Sequence, residues 1–244
     1  MPQAHPRTNR ECSPARLETL SVVLPCYNEE KLIRDVVTSI ILFLPQAAET
    51  FEIIAVDDGS KDRTGKILDE LSAQFPSLAV IHHPVNRGYG SALRTGFSRA
   101  RYKHVFYTDS DGQFDISEIL TLIPHVEKAD IVTGYRRNRQ DPLHRKINSR
   151  AFGAFARLTL GLRLRDIDCA FKIYHRKVLD SLVLLSDGIL IDTEIFYKAK
   201  RQGFTVREVP VTHRARSEGS PTGNRLDVVF RVFRELPKLR RNHS

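Results

Sequence analysis

The first 135 residues alternate between short apolar runs and longer amphipathic stretches. The apolar runs are short enough for buried strands, and they lie at residues 21–25, 51–56, 78–82, 104–108 and 131–133. The stretches between them carry apolar side chains at helical spacing, which predicts helices at 30–43, 61–75, 116–126 and in a segment ending near Arg101. The regular alternation indicates an α/β fold.

Strands that alternate with helices form a mostly parallel sheet covered on both faces, because crossovers between parallel strands are right-handed. We therefore predict one Rossmann-like domain at residues 19–224, after a flexible N-terminal arm at 1–18. A basic amphipathic helix and tail follow at 225–244. In the less regular second half the pattern predicts helices at 147–160, 176–185, 192–202 and 225–236, and strands near 170–174 and 205–209.

Polar residues follow three of the predicted strands, where ligands bind in such sheets. They are Tyr27, Asn28 and Glu29 after the first strand, Asp57 and Asp58 after the second, and Asp109, Ser110 and Asp111 after the fourth. A candidate binding site therefore lies along one edge of the sheet.

Asp109 and Asp111 are two positions apart, so their carboxylates point the same way in an extended loop. Such a pair, with the neutral oxygen of Gln113, suits Mg²⁺ or Mn²⁺ with water and phosphate oxygens completing the shell. Asp57 or Asp58 could accept hydrogen bonds from a ribose hydroxyl or a base edge. The alternative is that Asp58 or Ser60 caps the following helix.

Several common cofactor motifs are absent from the sequence. The glycines at 88, 90 and 96 lack the spacing of a dinucleotide-binding loop and follow the third strand, so we do not predict NAD. Nor does the chain contain a Gly-Lys-Ser/Thr phosphate loop, a His-Glu-x-x-His helix or a Gly-x-Ser-x-Gly elbow.

Charge is distributed unevenly along the 244 residues. The net charge is +9, but residues 1–16, 135–150 and 213–244 carry +2, +5 and +5, which leaves the remaining chain at −3. Localised positive charge favours an anionic partner. Nucleic acid is an alternative, yet the acids at the strand ends and the lack of a recognition motif oppose it. Three widely spaced cysteines indicate a reduced, cytoplasmic protein.

Four motifs, in this order and spacing, resemble the family-2 glycosyltransferases, and within them the polyprenyl-phosphate mannose synthases. The motifs are residues 25–30 (Pro-Cys-Tyr-Asn-Glu-Glu), 56–60 (Val-Asp-Asp-Gly-Ser), 86–92 (Asn-Arg-Gly-Tyr-Gly-Ser-Ala) and 109–113 (Asp-Ser-Asp-Gly-Gln). The resemblance covers roughly residues 19–224. It implies a type-A glycosyltransferase fold, a nucleotide-diphosphate sugar donor, a divalent cation and inversion at the anomeric carbon.

The resemblance also implies roles for individual residues. Pro25, Tyr27 and Glu29 would line the nucleoside pocket, with Val56, Asp57 and Asp58 beside the base or ribose, and Asp109, Ser110, Asp111 and Gln113 at the metal and diphosphate. Arg136 and Arg216 would approach the donor phosphates, whose developing charge needs cations.

The sequence leaves two alternatives for the acceptor. The mannose synthases usually carry a lysine where this chain has Thr222, although a polyprenyl phosphate remains the first expectation. A soluble hydroxyl acceptor would need a base, because a hydroxyl must lose its proton. Asp192 and Glu194 are the candidates, and the alternative for them is helix capping and dipole compensation. Asp168 lies in the segment 166–172, which resembles the acceptor-side segment of the mannose synthases. Structural hydrogen bonding is an equally good interpretation of Asp168.

The predicted C-terminal helix combines apolar residues with six arginines and lysines between 225 and 241. Such a helix can lie on an anionic membrane, which would place the protein peripherally at the inner membrane face. It could equally cap the domain or form a homo-oligomer interface. The preferred donor is a GDP- or UDP-hexose, with mannose or glucose as the sugar.

Overall fold

The computed structural model describes residues 16–137 and 156–215. Seven strands form its centre. They are β1 (Leu17–Cys26), β2 (Ala48–Asp57), β3 (Leu78–His82), β4 (His104–Thr108), β5 (Ile131–Arg137), β6 (Phe171–His175) and β7 (Val206–Thr212). The predicted arm at 1–18 lies almost wholly outside the described residues, and the predicted C-terminal helix lies entirely outside them.

Helices cover the sheet, and most begin soon after a strand ends. They are α1 (Ile33–Phe43), α2 (Thr64–Ser72), α3 (Tyr89–Arg99), α4 (Ile119–Leu122), α5 (described at residues 156–160), α6 (Arg176–Ser181) and α7 (Ile191–Arg201). Within the described parts of the chain, no helix is both long enough and apolar enough to cross a bilayer.

The seven strands form one sheet in the order β3-β2-β1-β4-β6-β5-β7. All neighbouring strands are parallel except for β6, which is antiparallel to both β4 and β5. The predicted mostly parallel sheet is therefore confirmed. Because β6 runs the opposite way, it begins at the edge where β4 ends, with Phe171 opposite Thr108. The loop before β6 thus reaches the predicted site.

Strand β1 shows why the sheet is covered on both sides. Leu20, Val22 and Leu24 pack in one apolar cluster, which includes residues of α1 and α2. Val23 points to the other face, into a cluster with residues of α3 and α7. A parallel strand with helices on both faces is apolar at nearly every position, which is the pattern in the sequence.

The predicted helix at 116–126 is only partly α-helical. The segment consists of a 3₁₀ turn at Ile116–Glu118, one turn of α-helix in α4, and a second 3₁₀ turn at Ile123–His125. Pro124 lies in the second 3₁₀ turn. It has no backbone N–H, so it cannot donate the hydrogen bond that would continue the α-helix.

Candidate functional site

The carboxyl ends of β1, β2 and β4 lie side by side at one edge of the sheet. Strand β1 pairs with β2 up to Cys26 opposite Asp57, and with β4 up to Val23 opposite Tyr107. The loops that follow these strands carry the predicted site residues, so the strand order brings them together. Pro25, Val56 and Ser110 are buried at this edge.

The loops after β1 and β2 are joined by backbone hydrogen bonds to side chains. The Lys61 amide donates to the Asn28 carbonyl oxygen Oδ1 at 2.8 Å, and the Asn28 amide donates to Ser60 Oγ at 3.0 Å. The Glu29 amide donates to Thr64 Oγ1 at 2.8 Å. Asn28 has a φ of 55°, a conformation that asparagine tolerates better than most residues. These contacts fix the backbone on either side of the predicted nucleoside residues Tyr27 and Glu29.

Asp58 organises the glycine-bearing loop after β3. Its carboxylate accepts hydrogen bonds from the Arg87 amide at 2.9 Å and the Gly88 amide at 2.8 Å, and it contacts His83 Nδ1 at 2.6 Å. Asp58 is buried, and these three groups surround much of its carboxylate. Its predicted role beside the base or ribose stays a prediction.

Asp57 is also engaged within the protein. It accepts from the Ser60 amide at 3.0 Å and contacts His82 Nδ1 at 3.0 Å. Burial lowers the pKa of His82, but the Asp57 and Asp69 carboxylates that contact His82 outweigh this effect and raise it. The alternative that Asp58 or Ser60 caps α2 is wrong, because α2 begins at Thr64, whose amide donates to Asp62.

The predicted metal pair lies in the loop directly after β4. Ser110 points into the protein and donates to the Pro25 carbonyl at 2.8 Å, which leaves Asp109 and Asp111 to flank it on the outer side. Asp109 accepts from the Tyr89 hydroxyl at 2.9 Å, and Asp111 accepts from the Gln113 amide at 3.1 Å. Burial and the neighbouring Asp111 carboxylate raise the pKa of Asp109 to about 7.

These two residues fit a divalent cation that is shared with a ligand. Within residues 16–137 and 156–215, no three His, Cys, Asp or Glu side chains are grouped as a metal site. Mg²⁺, however, is usually held by only one or two carboxylates together with waters and substrate phosphates. The repulsion that raises the pKa of Asp109 would be relieved by a cation. The donor set therefore suits Mg²⁺ or Mn²⁺ with a diphosphate.

Gln113 connects this loop to the segment after β7. Its side-chain amide donates to the Arg214 carbonyl at 3.0 Å, and the Arg214 amide donates to the Gln113 carbonyl at 2.9 Å. The Arg214 guanidinium also pairs with Asp115 at 2.6 Å. Arg216, the predicted phosphate-binding residue, follows two positions later and lies outside the described residues.

Arg136, the second predicted phosphate-binding arginine, is held by Asp166. Its Nε and Nη2 atoms each lie 2.7 Å from a different oxygen of that carboxylate, and its backbone amide donates to the same group at 3.1 Å. Although burial opposes the charged form, Asp166 raises the pKa of Arg136 well above its ordinary value. The guanidinium is therefore fixed at the end of β5.

Asp192, a candidate base, forms a buried ion pair with Lys172. The Lys172 ammonium lies 3.0 Å from Asp192 Oδ1, and the Tyr107 hydroxyl lies 2.6 and 2.8 Å from the two carboxylate oxygens. Lys172 is fully buried and Asp192 is 3% exposed. The alternative that Asp192 caps α7 is wrong, because its carboxylate bonds to these side chains and no side chain caps that helix.

Glu194, the other candidate base, anchors the loop between α6 and α7. Its carboxylate accepts from the Leu185 amide at 3.0 Å and the Ser186 amide at 2.7 Å, and it pairs with Lys198 at 2.6 Å. Burial acts in the opposite direction, but these donors lower the pKa of Glu194. The group is fully buried, and its contacts are those of a loop anchor.

Asp168 lies in the loop that precedes β6, at the same edge of the sheet, and is partly exposed. Burial, together with the Asp192 and Asp166 carboxylates, raises the pKa of Asp168 to about 7. A carboxyl group with such a pKa is suited to proton transfer near neutral pH.

Sequence reasoning missed the buried partners of the site. Lys172 and Tyr107 lie inside strands and read as strand residues, so nothing in the pattern indicated that they pair with Asp192. The only available signal was a lysine in the middle of the otherwise apolar run at 170–174, because a lysine is almost never fully buried unless it is paired.

This fold and this edge of carboxylates define the class of protein as a type-A glycosyltransferase. Residues 21–183 match the family described as Glycosyl transferase family 2. The chain belongs to that family.

Similar proteins of known name include several transferases. The chain is 35% identical over 204 residues to Glycosyltransferase AglD of Haloferax volcanii, covering 79% of this chain and 32% of the relative. It is 31% identical over 211 residues to the polyprenol monophosphomannose synthase of Mycolicibacterium smegmatis, covering 81% and 78%. It is 34% identical over 171 residues to the undecaprenyl-phosphate 4-deoxy-4-formamido-L-arabinose transferase of Proteus mirabilis, covering 69% and 52%. The chain thus spans about a third of the length of the first of these relatives and about half of the length of the third.

Solved structures share the fold. The glucosyl-3-phosphoglycerate synthase of Mycobacterium tuberculosis, in complex with Mn²⁺ and UDP-glucose, superposes with a TM-score of 0.72 at 22% identity. The match covers 91% of this chain and 79% of that one. The likeness confirms the predicted fold.

The contacts of Asp58 predict that both oxygens of its carboxylate are needed to hold the loop at residues 86–88 in place. Asp58→Asn replaces that oxygen by a donor, so one loop amide loses its acceptor at a cost of about 1–3 kcal/mol. We expect faster hydrogen exchange at residues 86–90 and a lower free energy of unfolding. Asp69→Asn, on the exposed side of α2, should leave exchange in that loop unchanged. Unaltered exchange in Asp58→Asn would contradict this account of the loop.

Proposed function

We propose that the chain transfers a hexose, preferably mannose or glucose, from a GDP- or UDP-sugar to a polyprenyl phosphate, with inversion at the anomeric carbon. The proposal combines the family, the carboxylate edge and the contacts of the candidate bases. The nucleotide would lie along the loops after β1 and β2, with its diphosphate at the loop after β4.

In this proposal a divalent cation and two arginines hold the donor. Asp109 and Asp111, with Gln113 beside them, would hold Mg²⁺ or Mn²⁺. The cation would supply positive charge to the diphosphate as it leaves. Arg136 and Arg216 would add further positive charge on the donor side, where charge develops in the transition state.

The choice of acceptor rests on one observation: both predicted bases already bind other groups of the protein. Asp192 is paired with Lys172 and Tyr107, and Glu194 is paired with Lys198 and two loop amides. A hydroxyl acceptor needs a base in contact with it. A phosphate oxygen is already anionic and can attack the anomeric carbon unaided. The contacts therefore favour a phosphate acceptor.

An apolar surface beside the site supports a lipid-linked acceptor. Val183, Leu185 and Ile189 are 75%, 54% and 40% exposed, and they belong to the loop that Glu194 anchors. The Asp187 carbonyl of that loop accepts from the Gly90 amide at 2.8 Å, next to the residue that contacts Asp109. Exposed aliphatic side chains so close to a polar site are typical of surfaces that bind apolar partners.

The names of the relatives agree with this choice. One is a polyprenol monophosphomannose synthase and another is an undecaprenyl-phosphate sugar transferase. The mannose synthase supports mannose as the sugar, while the structural neighbour that binds UDP-glucose supports a UDP-hexose donor.

The second candidate function keeps the same donor and uses a soluble hydroxyl acceptor. Asp168 favours it, because its pKa is raised to about 7 and it is partly exposed at the acceptor side of the edge. In this alternative Asp168, rather than Asp192 or Glu194, would remove the proton of the hydroxyl.

Removal of one predicted metal ligand tests the donor chemistry. We expect Asp111→Ala to lower sugar transfer at least 100-fold, because the leaving diphosphate loses its compensating charge. The assay supplies Mn²⁺ and labelled UDP-glucose or GDP-mannose, with undecaprenyl phosphate in one arm and a pool of soluble metabolites in the other. Label in the organic phase supports the lipid acceptor.

The matched control is Asp180→Ala, an exposed aspartate on α6 that pairs with Arg176, and it should retain full activity. Full activity in Asp111→Ala would contradict the proposed donor site. Label that enters only soluble products would contradict the polyprenyl-phosphate acceptor.

The pH dependence of Asp168→Asn separates the two acceptors. If Asp168 is a base, transfer to a hydroxyl should rise as pH increases through about 7, since the active form is deprotonated above its pKa. Asp168→Asn should then remove this rise and lower kcat/KM by about 10²–10⁴-fold. With a phosphate acceptor we expect less than about a threefold loss in the same variant. Asp180→Asn is the control, and kcat/KM is measured from pH 5.5 to 8.5.

A further inference from the structure

The Tyr89 hydroxyl connects the predicted metal loop to the buried centre of the protein. It donates to Asp109 Oδ1 at 2.9 Å and lies near the Tyr107 hydroxyl. The Tyr107 hydroxyl accepts from Lys172 at 2.9 Å and donates to Asp192 at 2.6 Å. A series of polar contacts therefore runs from Asp192 and Lys172 to the Tyr107 hydroxyl, and the hydrogen bond from Tyr89 to Asp109 lies beside its end.

The inner end of this series is rigid. The Lys172 ammonium contacts Asp192, Tyr107 and the Cys169 carbonyl, so each of its three N–H groups has an acceptor. It also lies 5.0 Å from the centre of the Tyr107 ring and 5.5 Å from that of Phe196. Because Lys172 is fully buried, it cannot exchange these partners for water.

The Tyr107 ring is fixed by its neighbours as well. It meets Phe97 edge to face at 5.9 Å between ring centres, and it stacks on Tyr174 at 6.2 Å with an angle of 6° between the planes. Aromatic packing of this kind restricts the ring to one position. The hydroxyl that faces Tyr89 is therefore held in place.

The outer end is held by the glycines on either side of Tyr89. A Cβ atom at Gly88 would lie 2.4 Å from the Asp187 carbonyl oxygen, and one at Gly90 would lie 2.4 Å from the Ser186 carbonyl oxygen. Gly88 has a φ of 99°, which side chains rarely tolerate. Only glycine at both positions allows the loop after α6 to approach so closely and fix the backbone of Tyr89.

We propose that Tyr89 is a positioning residue for metal binding, which holds the Asp109 carboxylate in one orientation and is itself held by the close packing of its flanking glycines against the loop after α6. The inference rests on the proposed function, since it takes Asp109 as a metal ligand. Groups that hydrogen-bond to a ligand fix its orientation, and their removal typically costs about 10–100-fold in metal affinity.

The test is the affinity for Mn²⁺, measured by electron paramagnetic resonance on the whole chain, without nucleotide and with UDP or GDP. Tyr89→Phe removes only the hydroxyl, and we expect Mn²⁺ to bind about 10-fold more weakly. The melting temperature should be nearly unchanged, because the ring remains. A structural role alone would lower the melting temperature without this loss of affinity.

Tyr174→Phe is the matched control. Its hydroxyl is also buried beside Tyr107, but within the described residues it has no hydrogen-bond partner. We expect its Mn²⁺ affinity to equal that of the unmodified chain. An equal loss in both variants would overturn the proposal.

The same titration separates this inference from the proposed function. Failure of the unmodified chain to bind Mn²⁺ in any condition would contradict the metal-dependent donor site, and the positioning role with it. Binding of equal strength in the unmodified chain and in Tyr89→Phe would overturn the positioning role alone and leave the proposed function standing.

Discussion

Repulsion between carboxylates is the constraint on which the site depends. The strand order brings the ends of β1, β2 and β4 to one edge and adds the loop before β6. Aspartates from the loops after β2 and β4, from the loop before β6 and from α7 are therefore crowded together. Most have partners of opposite charge or backbone donors: Asp58 has His83 and two amides, Asp166 has Arg136, and Asp192 has Lys172. Asp109 instead meets only a neutral hydroxyl beside the like charge of Asp111. Burial and that like charge raise its pKa to about 7, although the Tyr89 hydroxyl acts in the opposite direction. This imbalance points to a cation.

The same contacts separate two groups of carboxylates at this edge. Those that are buried and paired, such as Asp192 and Glu194, hold the strands, the helices and the loop after α6 in place. Asp109, Asp111 and Asp168 are partly exposed, and in the proposed function they are the ones that substrates would reach. The proposed function therefore depends on which carboxylates the fold has paired. Asp192 and Glu194 are paired inside the protein, and this agrees with an acceptor that needs no base.

Much of the fold could be predicted from sequence, because buried parallel strands and amphipathic helices leave local patterns. The strand ends predicted the edge where the polar loops meet, and the Asp-Ser-Asp motif predicted the two carboxylates that are proposed to hold a metal. Pairings between distant residues could not be predicted. Lys172 and Asp192 meet only because β6 inserts antiparallel beside β4, and no local pattern encodes that insertion. The sequence therefore predicts Asp192 only as a base or a helix cap. The local pattern around Gly88 and Gly90 likewise does not indicate their contact with residues 186–187.

The central claim is that the loop after β4 holds a divalent cation shared with a nucleotide diphosphate. Anomalous diffraction at the manganese edge, from crystals of the chain grown with Mn²⁺ and UDP or GDP, tests it most directly. The account predicts one strong peak in contact with Asp109 and Asp111, with the diphosphate on its other side. A nucleotide bound at this edge without a metal peak there, or a peak at other residues, would contradict it.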